Sequence, residues 1–416
     1  MKILKAYKVE LDPNDKQRSA FMRAAGCARK AYNWGLEQKI KAFELRKAAI
    51  AAGVPAADAP KIPTAIDLHK MLNKLKKLPE EQGGMPWMYE VCKSAPQEAL
   101  RNLDRAFANF FRRCKNKTKG PKGFPQFKSR KKHGIGGFRF GETGVTDTHI
   151  KIPRIKEPVR LKEHRYLPVK SSNIHVLSTT VSEKAGRWFC SVQVGQEIPD
   201  PEARSHLPVI GVDAGLKVLA ACSDGTVFAN PKALAGGLRQ LRKLQKSVSR
   251  KVKDSNNSRK AKKKVARHHY RISCVRKDAL HKCSDAITKR ASIVVIEDLN
   301  VAGMLKNPNL ARAVADASMA ELHRQIEYKA AWRGVSVVTA SRWFPSSKTC
   351  SACGQIKSKL LLGDRKYICE FCGLSEDRDF NASINLRGLA TGSSSASACQ
   401  GVCSGFSSNA GTKQPR

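Results

Sequence analysis

The sequence predicts a multidomain α/β fold, and three patterns predict it. Two short apolar runs, Val209–Asp213 and Ser292–Glu297, each end in an acid, and a long helical region separates them. That is the signature of buried strands alternating with helix. A second group of strand-like runs, between Phe138 and Val194, is punctuated by Gly, Pro, Asn and Lys and suggests a small antiparallel barrel. The third pattern is a pair of CxxC knuckles, Cys350/Cys353 and Cys369/Cys372, with fifteen residues between them. Each is followed by glycine, Gly354 and Gly373, which lets the chain turn back. This is the spacing of a structural Zn²⁺ site with four thiolates in a tetrahedron and no open position.

At 416 residues the chain has room for two to four domains. It carries 77 Lys and Arg against 35 Asp and Glu, a net charge of +42. An imbalance of that size implies a polyanionic partner, and nucleic acid comes first because Lys and Arg neutralise phosphates and release counterions. No run of about 18 apolar residues is present, so no membrane span is expected. Met1-Lys2-Ile3-Leu4 leads into a strand-like segment rather than a signal peptide. Of thirteen cysteines, four go to the knuckles and nine are scattered, which suggests no disulfide framework and a reducing compartment.

In chain order, residues 2–12 alternate as a strand, and Pro13-Asn14-Asp15 breaks it and offers Asn14 or Asp15 as a helix cap. A helix to about Lys47 follows from the spacing of Phe21, Ala25, Ala28, Tyr32, Leu36, Ile40 and Phe43. An Ala/Pro-rich connector spans 49–63. Thr64 with Asp67 reads as a capping box opening a second helix through Leu78. Ser94-Ala95-Pro96 opens a third, with Leu100, Leu103, Phe107 and Phe110 on one face. A helical module is therefore inserted after the first strand, which could complete the barrel that follows. Arg112–Lys132 holds ten Lys or Arg and no acid; it reads as a loop that touches phosphate, with Phe124 and Phe127 available for base stacking.

After a polar linker, Val209–Asp213 and two further strands, LKVLAAC and GTVFAN, form a meander around Ser223-Asp224-Gly225. Leu234–Arg290 reads as two strongly basic helices broken near Asp254–Ser258. Then come the strand ending at Glu297, a helix over Ala311–Trp332, a fifth strand over Val335–Thr339, the knuckles, and a last helix near Asn381. The Gly/Ser-rich segment from Leu389 onward is expected to be disordered, and Cys399 and Cys403 in it lack ligand spacing.

Three acids stand out by position. Asp213 and Glu297 end strands, and Asp379, in DRDFNASINL, begins the last helix. The order β-β-β-α-β-α-β-α with acids at these places is the layout of an RNase H-like domain. There the two strand-end acids come side by side and the helix acid faces them. Carboxylate oxygens suit Mg²⁺ or Mn²⁺, and two ions about 3.5–4 Å apart can activate a water and stabilise a leaving 3′ oxygen. Asp377 competes with Asp379, and Asp298 with Glu297. Glu297 is preferred because it directly follows the apolar run, and Asp379 because it lies two residues before Asn381.

GVDAGLKVLAACSDG, VVIEDLNV, FPSSKTCSACG and CGLSEDRDFNASINL, in that order, make the chain resemble the TnpB/OrfB proteins of bacterial and archaeal insertion sequences, relatives of type V CRISPR effectors. The likeness covers residues 1 to about 390. It implies an RNA-guided DNA endonuclease, partnered by a transposon-derived guide RNA and target double-stranded DNA, in the cytoplasm near the nucleoid. It implies that Asp213, Glu297 and Asp379 hold catalytic Mg²⁺ or Mn²⁺, that Cys350, Cys353, Cys369 and Cys372 hold zinc, and that a short DNA motif beside the target is read by protein. The parts it implies are a split wedge barrel (1–12 and 126–203), a helical recognition module (13–125), a RuvC-type nuclease (204–342 and 377–390), a zinc ribbon (343–376) and a tail (391–416). The long 49–63 connector departs from the usual pattern. Two other functions stay open on the residues alone: a DD(E/D) transposase that joins ends with the same acids, and a DNA- or RNA-binding regulator or transposase accessory protein without cleavage.

Overall fold

The computed structural model describes residues 1–392 apart from 117–119, 142, 168–172, 203 and 362. Of the segment expected to be disordered from Leu389 on, residues 389–391 instead end the last helix, where Leu389 and Ala390 pack against a buried cluster, and 393–416, with Cys399 and Cys403, lie outside the described residues. The chain divides into two compact units, Met1–Ile198 and Pro199–Arg416. Among the described residues no helix is long and apolar enough to cross a membrane.

The first unit opens with strand β1 (Lys2–Asp12) and helix α1 (Asp15–Ala51). Asn14 is the cap: its side chain accepts the Gln17 amide at 2.8 Å, and the Gln17 side chain accepts the Asn14 amide at 3.1 Å. Such reciprocal capping stabilises a helix start by about 1 kcal/mol. Helix α2 (Ala65–Lys77) begins with the Thr64/Asp67 capping box, and α3 (Ser94–Lys115) follows two short 3₁₀ turns. A single-turn helix α4 (Arg130–His133) leads to β2 (Gly137–Phe140), β3 (His149–Ile150), β4 (Val159–Leu161), β5 (Ile174–Lys184) and β6 (Arg187–Glu197).

These strands form one six-stranded sheet in the order β2-β5-β6-β1-β4-β3. The first strand is interior. It pairs antiparallel with β6 from Lys2↔Glu197 to Leu11↔Trp188, and with β4 at Leu11↔Leu161. Helices α1–α3 are thus inserted between strands of one sheet. Helices and sheet share one core: Phe21 of α1 packs on Trp188 and Phe138 at ring distances of 5.1 and 6.1 Å, and Leu36, Leu68, Leu100 and Leu103 close the helical side. Each fully buried leucine contributes about 1.5–3 kcal/mol.

One expectation changes here. Phe43 is 48% exposed, so the apolar stripe of α1 ends at Ile40 and the last turns stand out from the core. There the Arg46 guanidinium donates to the carbonyls of Ala56, Ala59 and Pro60, which orders the Ala/Pro-rich connector. The basic loop is also anchored rather than free. Phe124 packs edge-on against Phe107 and Phe110 at 5.6 and 5.2 Å and still keeps 46% of its surface exposed. Lys128 is held by two 2.8 Å hydrogen bonds to the Asn33 side chain. Phe127 is exposed.

The second unit contains β7 (Val209–Asp213), β8 (Val218–Cys222), β9 (Val227–Ala229), α5 (Ala233–Ser249), α6 (Asn256–Arg290) and β10 (Ile293–Glu297). After it come α7 (Val301–Met304), α8 (Ala311–Ala317), α9 (Met319–Arg333), β11 (Ser336–Ala340), the hairpin β12 (Lys366–Ile368) and β13 (Ser375–Asp377), and α10 (Arg378–Thr391). The main sheet has the order β11-β10-β7-β8-β9. β11, β10 and β7 are parallel, and β8 and β9 are antiparallel to their neighbours. Ile210, Val212, Val294 and Ile296 face Leu280 and Ile287 of α6 and Leu322 and Ile326 of α9. Val295 and Ala340 meet Leu386 of α10 in a separate cluster. Helices thus cover both faces, which is why these strands read as continuous apolar runs.

The helix expected over Ala311–Trp332 is broken at Ser318, which adopts a left-handed φ of 54°. The break lets α8 bring the buried Asp316 to the start of α5. Asp316 accepts the Leu234 and Ala235 amides at 3.0 and 3.2 Å and pairs with Arg276 of α6 at 2.8 Å. The break in the basic helices falls at 250–255, slightly earlier than expected. Their Lys and Arg, Arg242 to Arg271, are exposed.

Candidate active site and four-cysteine centre

β7 and β10 are adjacent and in parallel register, Val209↔Ile293 through Val212↔Ile296. The next residue on each strand is the acid. Equivalent residues of parallel neighbours point to one face, so Asp213 and Glu297 leave the sheet side by side at its carboxyl edge. The third acid arrives on α10. A Cβ on Gly211 would stand 2.0 Å from the Ser383 carbonyl oxygen and 2.5 Å from the Arg387 amide nitrogen, so α10 lies backbone to backbone on β7. That contact sets the helix one turn beyond Asp379. The Asp379 Oδ2 lies 4.0 Å from where a Cβ of Gly215 would be, two residues past Asp213.

The electrostatics match this convergence. Burial pushes the Asp213 carboxyl well above its usual range, and the carboxylates of Glu297 and Asp379 push it further, against the pull of Arg378. Burial also raises Glu297, opposed by a hydrogen bond donated to its Oε1 by the Ser346 hydroxyl. Asp379 is 13% exposed and pairs with Arg378 at 3.3 Å. The rival acids also make contacts of their own, and Asp377 adds to the charge that raises Asp213. Asp377 caps α10, accepting the Asp379 and Phe380 amides at 2.9 and 3.2 Å. Asp298 is 51% exposed and bridged to Arg342 at 2.7 Å. Hard carboxylate oxygens are the kind of donor that suits a divalent cation, although among the described residues these three acids do not bring their oxygens within 4.8 Å of one another as the cysteines bring their sulfurs.

The four cysteines meet in a separate centre. Their sulfurs all lie within 4.8 Å of one another, and no other Asp, Glu, His or Cys set among the described residues is as tight. The Cys350–Cys372 and Cys353–Cys369 sulfurs are each 3.6 Å apart. A disulfide would be about 2.05 Å; the edge of a tetrahedron with metal–sulfur bonds of about 2.3 Å is about 3.8 Å. The two knuckles have one design. The Gly354 amide donates to Cys350 O and the Gly373 amide to Cys369 O, both glycines at positive φ, 77° and 74°. The backbone amide of Cys372, then that of Phe371, brings the Cys369 thiol down to about 6 against its burial. Tyr367, 1% exposed, packs on Cys350 and Cys369.

Sequence reasoning assigned no role around these centres to Arg378, Ser346 and Asn385, and used Asn381 only to mark the start of the last helix. The only sequence signal for the asparagines is their spacing of four on α10, which places two polar side chains on one helix face. Ser346 gives no such signal.

Comparison with known proteins bears on all of this. The OrfB_IS605 family model, described as "Probable transposase", matches residues 189–308, and a model described as "Cas12f1-like, TNB domain" matches 320–386. A model described as "Helix-turn-helix domain" matches residues 1–48, although these form a strand and a single long helix. A "Putative RNA-guided DNA endonuclease" of Streptomyces pristinaespiralis is 37% identical, covering 95% of this chain and 91% of the relative. The Escherichia coli K12 protein described as "Putative RNA-guided DNA endonuclease InsQ" is 31% identical, covering 93% and 92%. In fold, the chain is similar to a Cas12f1 chain solved by cryo-EM in a Cas12f1-sgRNA-target DNA complex, with a TM-score of 0.53 at 13% identity over 93% of this chain and 99% of that one. Identity at this level over nearly the whole length, together with the OrfB match, makes the chain a member of the TnpB/OrfB family.

Proposed function

We propose that this chain is an RNA-guided DNA endonuclease of a transposable element, which cleaves target DNA by divalent-metal-assisted phosphodiester hydrolysis after guide pairing and recognition of a short adjacent motif. The reading is supported by the adjacent, in-register strands that end at Asp213 and Glu297 and by the charges of Glu297 and Asp379 acting on Asp213, in a chain whose near full-length relatives are described as RNA-guided DNA endonucleases. The second unit is then an RNase H-like, RuvC-type core over 204–342 and 377–390 with a zinc ribbon at 343–376. Residues 1–12 and 126–203 are the split wedge barrel, which runs five residues past the end of the first unit at Ile198, and 13–125 the recognition module.

The three acids would hold Mg²⁺ or Mn²⁺, and the four cysteines Zn²⁺. Bound divalent cations supply Lewis-acid activation of a water and charge neutralisation at the leaving 3′ oxygen. The chain's own contribution is geometric and electrostatic. The β7–β10 register sets Asp213 against Glu297, and the Gly211 crossing sets Asp379 beside them. Arg378 moderates their mutual repulsion. The exposed cations of α5 and α6 hold guide RNA and hybrid by their phosphates, and base pairing supplies the sequence specificity. The test is Asp213→Ala and Glu297→Ala in Mg²⁺ with the RNA that co-purifies. Loss of cutting with retained RNA is expected; undiminished cutting in either variant refutes the assignment.

A further inference from the structure

Behind the acids lies a layer of buried polar side chains that metal chemistry alone does not explain. Ser346, Thr349, Asn381 and Asn385 are 4%, 3%, 0% and 2% exposed. Asn381 donates to Thr349 O at 2.7 Å and accepts the Ser351 amide at 2.9 Å. Asn385 donates to Ser346 O at 2.8 Å and to Thr349 O at 2.7 Å. The turn they grip is closed on itself: the Thr349 amide and hydroxyl both donate to Pro345 O, at 3.0 and 2.9 Å. Cys350, the first cysteine of the centre, follows directly. Out of this turn the Ser346 hydroxyl donates to Glu297 Oε1.

We propose that Ser346 is a positioning residue for Glu297, and that it sets how tightly the acid site binds a divalent cation. The proposal rests on the nuclease reading above and deepens it. Glu297 ends its strand on a side chain with three rotatable bonds. One hydroxyl on one carboxylate oxygen fixes the rotamer and leaves lone pairs for a cation. The hydroxyl is itself fixed, because Asn385 holds the Ser346 carbonyl and the cysteine knuckle holds the far end of the turn. Asn385 stands on the helix that carries Asp379, so one brace ties Glu297 to the other side of the site. Loss of an outer-shell partner of a metal ligand typically costs ten- to a hundred-fold in metal affinity, about the range expected here.

The experiment is binding of inorganic Mn²⁺ to the purified full-length protein, followed by EPR, with zinc content and melting temperature measured on the same samples. Ser346→Ala is expected to weaken Mn²⁺ binding about ten-fold or more with zinc and melting unchanged, and Ser346→Thr to restore it. Ser346→Ala binding Mn²⁺ as wild type does, or losing Mn²⁺ only together with zinc or folding, overturns the proposal. Asp213→Ala separates this from the reading beneath it. If that variant binds Mn²⁺ as tightly as wild type, the acid site itself is wrong and both fall.

Discussion

Gly211→Ala tests the joint on which the site hangs. The added methyl would meet the Ser383 carbonyl oxygen at 2.0 Å and the Arg387 amide at 2.5 Å, where ordinary contact begins at 3.4 Å. Both obstacles are backbone of α10, so no side chain can swing aside, and the helix must move off β7 by roughly 1 Å or more. Overpacking of this kind costs about 1–3 kcal/mol. The same movement carries Asp379 away from Asp213, and a misplacement of about 1 Å at a reacting centre can cost about a hundred-fold in rate. We therefore expect a lower urea midpoint and a disproportionate loss of Mg²⁺-dependent cutting, measured where the variant is still fully folded. A variant with wild-type midpoint and wild-type cutting would show that α10 does not seat on β7 as described.

Three further outcomes are expected. Cys369→Ser lowers zinc content and melting temperature together, read by elemental analysis and calorimetry; full stability with unchanged metal would remove the structural role of the centre. Asp285 is raised by burial, but its hydrogen bonds to Lys289 and Arg333 outweigh this and hold it at about 2. Its contribution is present above the ordinary value near 3.8 and lost as pH falls through about 2, and with its side chain 37% exposed it amounts to less than about 1 kcal/mol. Asp285→Asn should thus lower the denaturation midpoint at pH 6, with the difference shrinking as pH falls toward about 2. Asp213→Asn should raise the melting temperature in cation-depleted buffer and abolish any further rise on adding Mn²⁺; a lower melting temperature would contradict the repulsion described at the acids.

Much of this architecture is legible in the sequence because it is set locally. Asn14 with Gln17 and Thr64 with Asp67 announce helix starts through contacts three residues apart, and the apolar runs ending at Asp213 and Glu297 announce buried strands. What is not legible depends on partners remote along the chain. Ser318 ends a helix without glycine or proline, and the resulting corner places Asp316 on α5 and Arg276, residues 40 and more positions away. The packing of Phe124 on Phe107 and Phe110 is not legible in the basic loop itself, although the ring stays 46% exposed. That Asp377 accepts the Asp379 and Phe380 amides as the helix cap is likewise not legible in the sequence, where it stands as a rival to Asp379.

The same dependence explains why the acid centre needs support at all. Three carboxylates drawn together at a sheet edge repel one another, and burial of Asp213 and Glu297 deepens the cost. Such an arrangement persists only where the surroundings over-determine it. Here the surroundings are rigid backbone features: the parallel register, the glycine crossing and the cap by Asp377. Arg378 removes part of the repulsion but, held to Asp379 at 3.3 Å, leaves a negative centre. A divalent cation that binds the folded site and not the unfolded chain would therefore stabilise the protein as it activates it, so stability and activity should titrate together with the metal.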